Sequence, residues 1–277
     1  MAVERALVLG GGGLAGAAWE TGVLAGLAER GVDITGADRL VGTSAGSVVA
    51  AQLGSGLELA ELFRRQADPS WQNAELDPSG LTVPELLEIW AKLAANATDP
   101  SELRRQLGEL ALSVETVSER ARFEVIEGRL PVHSWPERRI TLVAVDTRSG
   151  ERRLFDRRSG VGLVDAVAAS CAVPGIWPPV TIGGARYMDG GVHSNANADL
   201  AAGADRVLVL APLSDPALEE QTTLLAGSAR VETIVPDEAS AAAFGGDPLD
   251  PASRTPSAHT GFAQGQRVAE VVRELWS

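Results

Sequence analysis

The sequence predicts an α/β fold, and three observations carry that prediction. Short, continuously apolar segments such as Ala6-Leu-Val-Leu9 read as strands buried on both faces, the mark of a parallel sheet. The first 55 residues run strand, loop, helix, strand, turn, helix, an alternation that builds a sheet covered by helices. Strand signals then lapse from about 55 to 130 and resume at Ile140, so a helical insertion interrupts the alternation.

In order along the chain, the apolar run at 6–9 is the first strand, and Gly10, Gly11, Gly12 and Gly13 form the loop that leaves it. The next helix runs to about Arg30, with Trp19, Val23 and Leu27 on one stripe and Gly31 as its stop. Arg39-Leu-Val-Gly42 is the second strand. Residues 45–54 are rich in small side chains and suit a helix packed closely on a sheet. Within the insertion, Thr82-Val-Pro-Glu85 reads as a capping box that opens a helix with Leu86, Trp90, Leu93 and Ala97 on one face. Asp99-Pro100-Ser-Glu102 repeats the start signal. Scaffold helices and a lid over one side of the sheet both satisfy this pattern.

Residues 140–145 form a strand that Ser149-Gly150 turns into a return strand through Leu154-Phe155. A helix follows at 164–170, then an extended crossing at 174–179, and a hairpin of 180–182 with 186–188 around Gly183-Gly184. The runs at 206–211 and 232–235 are further core strands. Residues 236–256, rich in Asp, Pro, Gly and Ala, read as a loop. The final helix carries Val268, Val271, Val272 and Leu275.

A chain of 277 residues can bury one substantial core. The expected organisation is a single domain over 1–277. Its core lies at about 5–211, with the insertion at 55–130 and a C-terminal extension at 212–277 packing on the core. With 45% apolar and 22% charged residues the chain reads as soluble and globular. The net charge of −13 repels phosphates, which argues against nucleic acid and against docking on anionic membranes, and leaves zwitterionic lipid or a neutral ester as partners. Cys171 is the sole cysteine, so no intrachain disulfide or multi-cysteine metal site forms, and its apolar neighbours suggest a small buried hydrophobe. Lys92 is the sole lysine, which base composition explains as well as anion recognition does. No apolar run approaches the roughly 20 residues that span a bilayer. The apolar start of the chain carries Glu4 and is broken by glycines, so it reads as strand and loop rather than a signal peptide, and a cytoplasmic location is expected.

Gly42-Thr-Ser44-Ala-Gly46 is a Gly-x-Ser-x-Gly sequence between a strand and a helix. At such a turn the glycines relieve crowding, and the serine hydroxyl is presented at a helix N-terminus, where amides favour negative charge. The loop from Gly10 to Gly13, with Gly16, admits two readings. One is a dinucleotide fingerprint, which would serve a nucleotide-dependent oxidoreductase; the other is a set of amides aimed at an oxyanion. The dinucleotide reading needs an acid at the end of the second strand, but Asp33 precedes that strand, which leads instead to Ser44.

A serine nucleophile needs a base. Asp189-Gly190-Gly191 follows the hairpin and offers a carboxylate, though the bare motif also suits a reverse turn. Asp146 is the rival, in a stretch that reads as turn chemistry. The histidines are His133, His193 and His259. A triad in chain order would be Ser44, Asp189 and His259, with His259 in the loop before the last helix; His193 lines the site or faces solvent, and His133 reads as a surface turn.

Taken as an ordered set, four segments resemble the bacterial patatin-like phospholipases. They are the glycine loop at 10–16, Gly42-Thr-Ser-Ala-Gly46, Ala169-Ser-Cys-Ala-Val-Pro174 and Asp189-Gly-Gly191. Ala144-Val-Asp-Thr with Gly150-Glu151 also looks like that family's central strand and hairpin. The resemblance covers residues 5–211. It implies a three-layer α/β/α sandwich with a mostly parallel central sheet, and hydrolysis of lipid or other acyl esters without metal or organic cofactor. By position, it implies Ser44 as nucleophile, Asp189 as base in a Ser-Asp dyad, and the amides of Gly11, Gly12 and Gly13 as oxyanion hole. Gly16, Gly42, Gly46, Gly190 and Gly191 support these motifs. The family's glycine loop usually carries a basic residue where this chain has Ala15, which also motivates a non-catalytic lipid-binding or regulatory reading.

Overall fold

A computed structural model describes residues 3–277. Strand β1 (Arg5–Leu9) leads through the glycine loop into α1 (Gly13–Glu29), then β2 (Arg39–Thr43) and α2 (Ala45–Leu53). Helices α3 (Leu59–Ala67), α4 (Val83–Asn96), α5 (Pro100–Ser113) and α6 (Glu119–Arg129) follow without a strand, as expected. The chain then re-enters the sheet with β3 (Arg139–Asp146) and β4 (Arg152–Phe155), crosses α7 (Leu163–Ser170), and forms the hairpin of β5 (Val180–Ile182) and β6 (Ala185–Asp189). Strand β7 (Arg206–Leu210), helix α8 (Pro216–Ala226), strand β8 (Arg230–Ile234), helix α9 (Glu238–Phe244) and helix α10 (Arg254–Trp276) complete it.

These strands make one eight-stranded sheet in the order β5-β6-β3-β2-β1-β7-β8, with β4 paired to β3. Strands β3, β2, β1, β7 and β8 are parallel, and the β4, β5 and β6 pairings are antiparallel. Alternation across the sheet divides the core in two. Leu7, Leu9, Leu40, Leu142, Leu208 and Leu210 face the layer of α1, α2 and α7. Ala6, Val8, Val41, Val143, Val207 and Val209 face the layer that contains α8. Burial on both faces is why these strands lack polar alternation.

Local signals set the helix starts. Thr82 forms the expected capping box with Glu85, and Asp99 accepts from the Ser101 and Glu102 amides. Helix α1 buries Trp19, Val23 and Leu27 as expected, and every other residue from Leu14 to Leu27 is buried too, because α10 covers its outer side. The two backbones meet along a glycine seam, where a Cβ on Gly26 would lie 2.1 Å from the Phe262 carbonyl oxygen and one on Gly265 2.3 Å from that of Val23. The segment 236–256 is not simply a loop. Asp237 caps α9 by accepting from the Ser240 amide, and α10 has already begun at Arg254. Pro256 sits in its first turn, where no helical N–H partner is needed, so the proline that closes the expected loop lies at a helix start. Among the described residues, no helix is long and apolar enough to cross a membrane.

Candidate active site

Ser44 occupies the turn between β2 and α2 with φ 52° and ψ −116°, a conformation that L-residues rarely adopt and that costs of order 1–3 kcal/mol. Close packing of the flanking glycines holds it there. A Cβ on Gly46 would lie 2.1 Å from the Leu9 carbonyl oxygen, and one on Gly42 2.6 Å from that of Gly46. The Gly46 amide also donates to the Gly10 carbonyl at 2.9 Å, which ties the turn to the glycine loop.

Asp189 ends β6 and is brought against Ser44 across the sheet. Ser44 Oγ donates to Asp189 Oδ2 at 2.7 Å, and the Gly191 amide donates to Oδ1 at 2.7 Å. Both side chains are buried. Burial pushes the Asp189 carboxyl up to about 6, against the opposing pull of the Ser44 hydroxyl, the Gly191 amide and the Arg122 charge. A carboxylate that titrates there is ionised at neutral pH and remains a usable proton acceptor.

The segment 169–174 has a structural task that its sequence does not declare. Ser170 Oγ accepts from the Ser44 amide at 2.9 Å, Cys171 Sγ donates to the Ser44 carbonyl at 3.2 Å, and the Ala172 carbonyl accepts from the Asp189 amide at 2.9 Å. Three consecutive residues therefore hold both partners of the pair. Burial pushes the Cys171 thiol up to about 11, in keeping with a small buried hydrophobe rather than a nucleophile.

The glycine loop offers fewer open donors than the sequence suggests. The Gly10 amide donates to Leu210 at 3.0 Å and the Gly11 amide to the Asn195 carbonyl at 2.8 Å. Asn195 is itself fixed by Asp215, the N-cap of α8. The amides of Gly12, Gly13 and Ala45 donate to no acceptor among the described residues. Gly13, Ser44 and Ala45 line one cavity. Ala45 follows the serine and sits at the N-terminus of α2, a donor that motif reasoning on the glycine loop alone misses. Ala15 is fully buried and its amide donates to Pro248, so its position faces the core rather than a ligand.

The remaining candidates lie apart from the pair. His259 is exposed within α10, not in a preceding loop, and packs edge-on against Phe63 at 5.9 Å. His193 is half-buried just after the Asp189 turn and hydrogen-bonds neither Ser44 nor Asp189; burial, with Arg152 and Arg104, lowers its pKa. His133 is exposed beside the Glu127 carbonyl. Asp146 Oδ1 accepts from the Arg148 and Ser149 amides at 2.9 Å each, the turn chemistry its sequence suggested.

A mostly parallel sheet between helical layers, with Ser44 on a strained strand-to-helix turn, is a three-layer α/β/α fold. Residues 7–202 match the patatin-like phospholipase family, and the chain belongs to that family of lipid acyl hydrolases. Among solved structures it is similar to VipD from Legionella pneumophila, with a TM-score of 0.52 and 14% identity over 98% of this chain and 67% of that one. At that identity the likeness is one of fold. It is also similar to ExoU of Pseudomonas aeruginosa, solved in complex with SpcU, with a TM-score of 0.42 and 16% identity over 99% of this chain. The chain spans about half of ExoU, 53% of its length. No curated protein sequence matches.

Proposed function

We propose that the protein is a serine acyl-ester hydrolase in which Ser44 is the nucleophile and Asp189 the general base. The 2.7 Å contact between Ser44 Oγ and Asp189 Oδ2 carries this reading. Asp189 takes the hydroxyl proton as Oγ attacks the ester carbonyl. The amides of Gly12, Gly13 and Ala45 meet the negative oxygen, and the N-terminus of α2 adds its dipole. Gly11 is left out of this set because its amide is already engaged, so its part is to hold the loop against Ser44. Collapse expels the alcohol with the proton from Asp189. Water, deprotonated by the same carboxylate, then releases the acid from Ser44. A zwitterionic lipid surface suits a chain of net charge −13 better than an anionic one, should the ester be drawn from a membrane.

Turnover of short aryl esters, together with labelling of Ser44 by a fluorophosphonate, tests the proposal. Wild-type protein that does neither would end it and favour the non-catalytic reading. Because Asp189 must be ionised to act, kcat/KM is expected to fall on the acid side of about pH 6. A profile flat from pH 5 to 8 would remove Asp189 from that role. His259→Ala is expected to keep ester turnover within about twofold of wild type, in line with a surface substitution away from the reacting groups. A loss comparable to that of Asp189→Ala would reinstate the triad.

A further inference from the structure

The cavity beside Ser44 has a chemistry that ester cleavage alone does not require. It follows one face of α2 past Ser44, Ala45, Val48 and Gln52. Gln52 lies about two turns along that helix from the nucleophile, and Arg122 stands near enough to the site for its charge to lower the Asp189 pKa. A pocket for a long fatty chain would be apolar at its inner end. Here the inner wall is Gln66, Glu75, Arg122, Arg129 and Arg254, all with largely buried side chains. The cavity volume is about 60 Å³.

Glu75 faces three arginines, and they are not equally satisfied. Arg129 takes both Glu75 oxygens, Nε to Oε1 at 3.1 Å and Nη2 to Oε2 at 2.5 Å. Arg254 donates from Nε and Nη2 to Gln66 Oε1 at 3.2 and 3.1 Å and stands 3.6 Å from Glu75. Arg122 comes no closer to Glu75 than 4.0 Å and lies 3.7 Å over the ring of Trp177. Its Nε and Nη1 are buried without a protein partner, as are Trp177 Nε1 and Gln52 Oε1, which belong to the same cavity. Burial lowers the Arg122 guanidinium to about 9, which leaves it cationic at neutral pH. Three open donors beside surplus positive charge suit an anionic acceptor. In a chain of net charge −13 that cluster stands against the overall balance.

We infer that Arg122, backed by Arg129 and Arg254, seats a carboxylate on the acyl part of the substrate, which makes that substrate a half-ester of a short dicarboxylic acid. The inference rests on the hydrolase reading above. The anion belongs to the acyl side because the alcohol departs after the first step, whereas the acyl group stays bonded to Ser44 next to this buried wall. Attack forms the Ser44 Oγ–acyl bond and breaks the bond to the alcohol, which leaves with the proton held by Asp189. Water then breaks the acyl-enzyme and yields the free dicarboxylate.

Matched aryl esters decide the matter: the p-nitrophenyl half-ester of glutarate against p-nitrophenyl pentanoate. Wild-type kcat/KM is expected to favour the half-ester by at least about tenfold, the scale of one charge-assisted hydrogen bond. Arg122→Gln should erase most of that ratio and Arg122→Lys retain part of it. The same Arg122→Gln variant should move the acid limb of the pH profile upward, since a cation that lowers the Asp189 pKa is gone. Wild-type preference for the neutral ester, or a ratio unaltered by Arg122→Gln, overturns the assignment. If neither ester turns over, the hydrolase reading falls and binding judges the subsite. Glutarate should then raise the melting temperature of the wild type saturably and leave Arg122→Gln unmoved; no shift overturns it. Inorganic phosphate in the same titration separates the two anions, and a shift with phosphate alone overturns the dicarboxylate assignment.

Discussion

Asp189→Asn is expected to lower ester hydrolysis by about 10⁴ or more, as is Ser44→Ala, while the protein stays folded. The amide keeps the shape of the side chain but cannot take the Ser44 proton, and no histidine is within hydrogen-bonding reach to replace it. Stability should not follow activity. The folded carboxyl titrates at about 6 rather than at its ordinary 3.8, so the native state binds that proton more firmly than the unfolded chain. The stabilising contribution is complete below about pH 4 and is lost as pH rises through 6. At pH 7 the buried charge is a liability that the neutral amide removes. Activity assays beside thermal unfolding at pH 7 check both halves. A variant that loses its activity only because it no longer folds would count against the assignment, and one that retains activity would sink the dyad.

Glu75→Gln should produce the largest loss of stability among single polar substitutions. It leaves Arg122, Arg129 and Arg254 facing one another around a neutral amide, and the side chains concerned are 5–11% exposed. Breaking a buried ion pair by removing one partner costs about 3–5 kcal/mol, because the remaining charge is left without compensation. For a chain of this size that corresponds to a fall in melting temperature on the order of 10 °C. Thermal or urea unfolding measures it. A change below about 1 kcal/mol would mean that water reaches the cluster freely and that its arginines need no counter-ion.

Much of the fold is legible in the sequence, because the elements that matter obey local rules. Buried parallel strands announce themselves as apolar runs, and Thr82, Asp99 and the hairpin glycines punctuate the chain where the physical chemistry of caps and turns says they should. The region after about 211 is harder to read. Asp215, Asp237 and Pro256 look like loop formers, yet the first two are N-caps and the third opens a helix. At the site, the glycine turns and the Asp-Gly-Gly corner are local signals that make Ser44 and Asp189 candidates, and the ordered set of motifs, not either signal alone, sets them apart from plain turns. The functions of Ser170 and Ala172, the loss of the Gly11 amide to Asn195, and the convergence of Glu75 with three arginines arise from contacts between distant segments. No spacing along the chain encodes such contacts.

The glycine seam between α1 and α10 bears on how the cavity can change shape. Backbones interlocked at this separation cannot slip past one another without collision, so the two helices travel as one rigid piece, and the amides of Gly12 and Gly13 ride at its tip. The opposite wall, made by α3, α6 and the stretch around Glu75, is joined to that piece through side chains, which tolerate small displacements. Any widening to admit a bulkier acyl group therefore comes from the side that carries Arg122 and Arg129, while Arg254, at the start of α10, stays with the frame that holds the Gly12 and Gly13 amides.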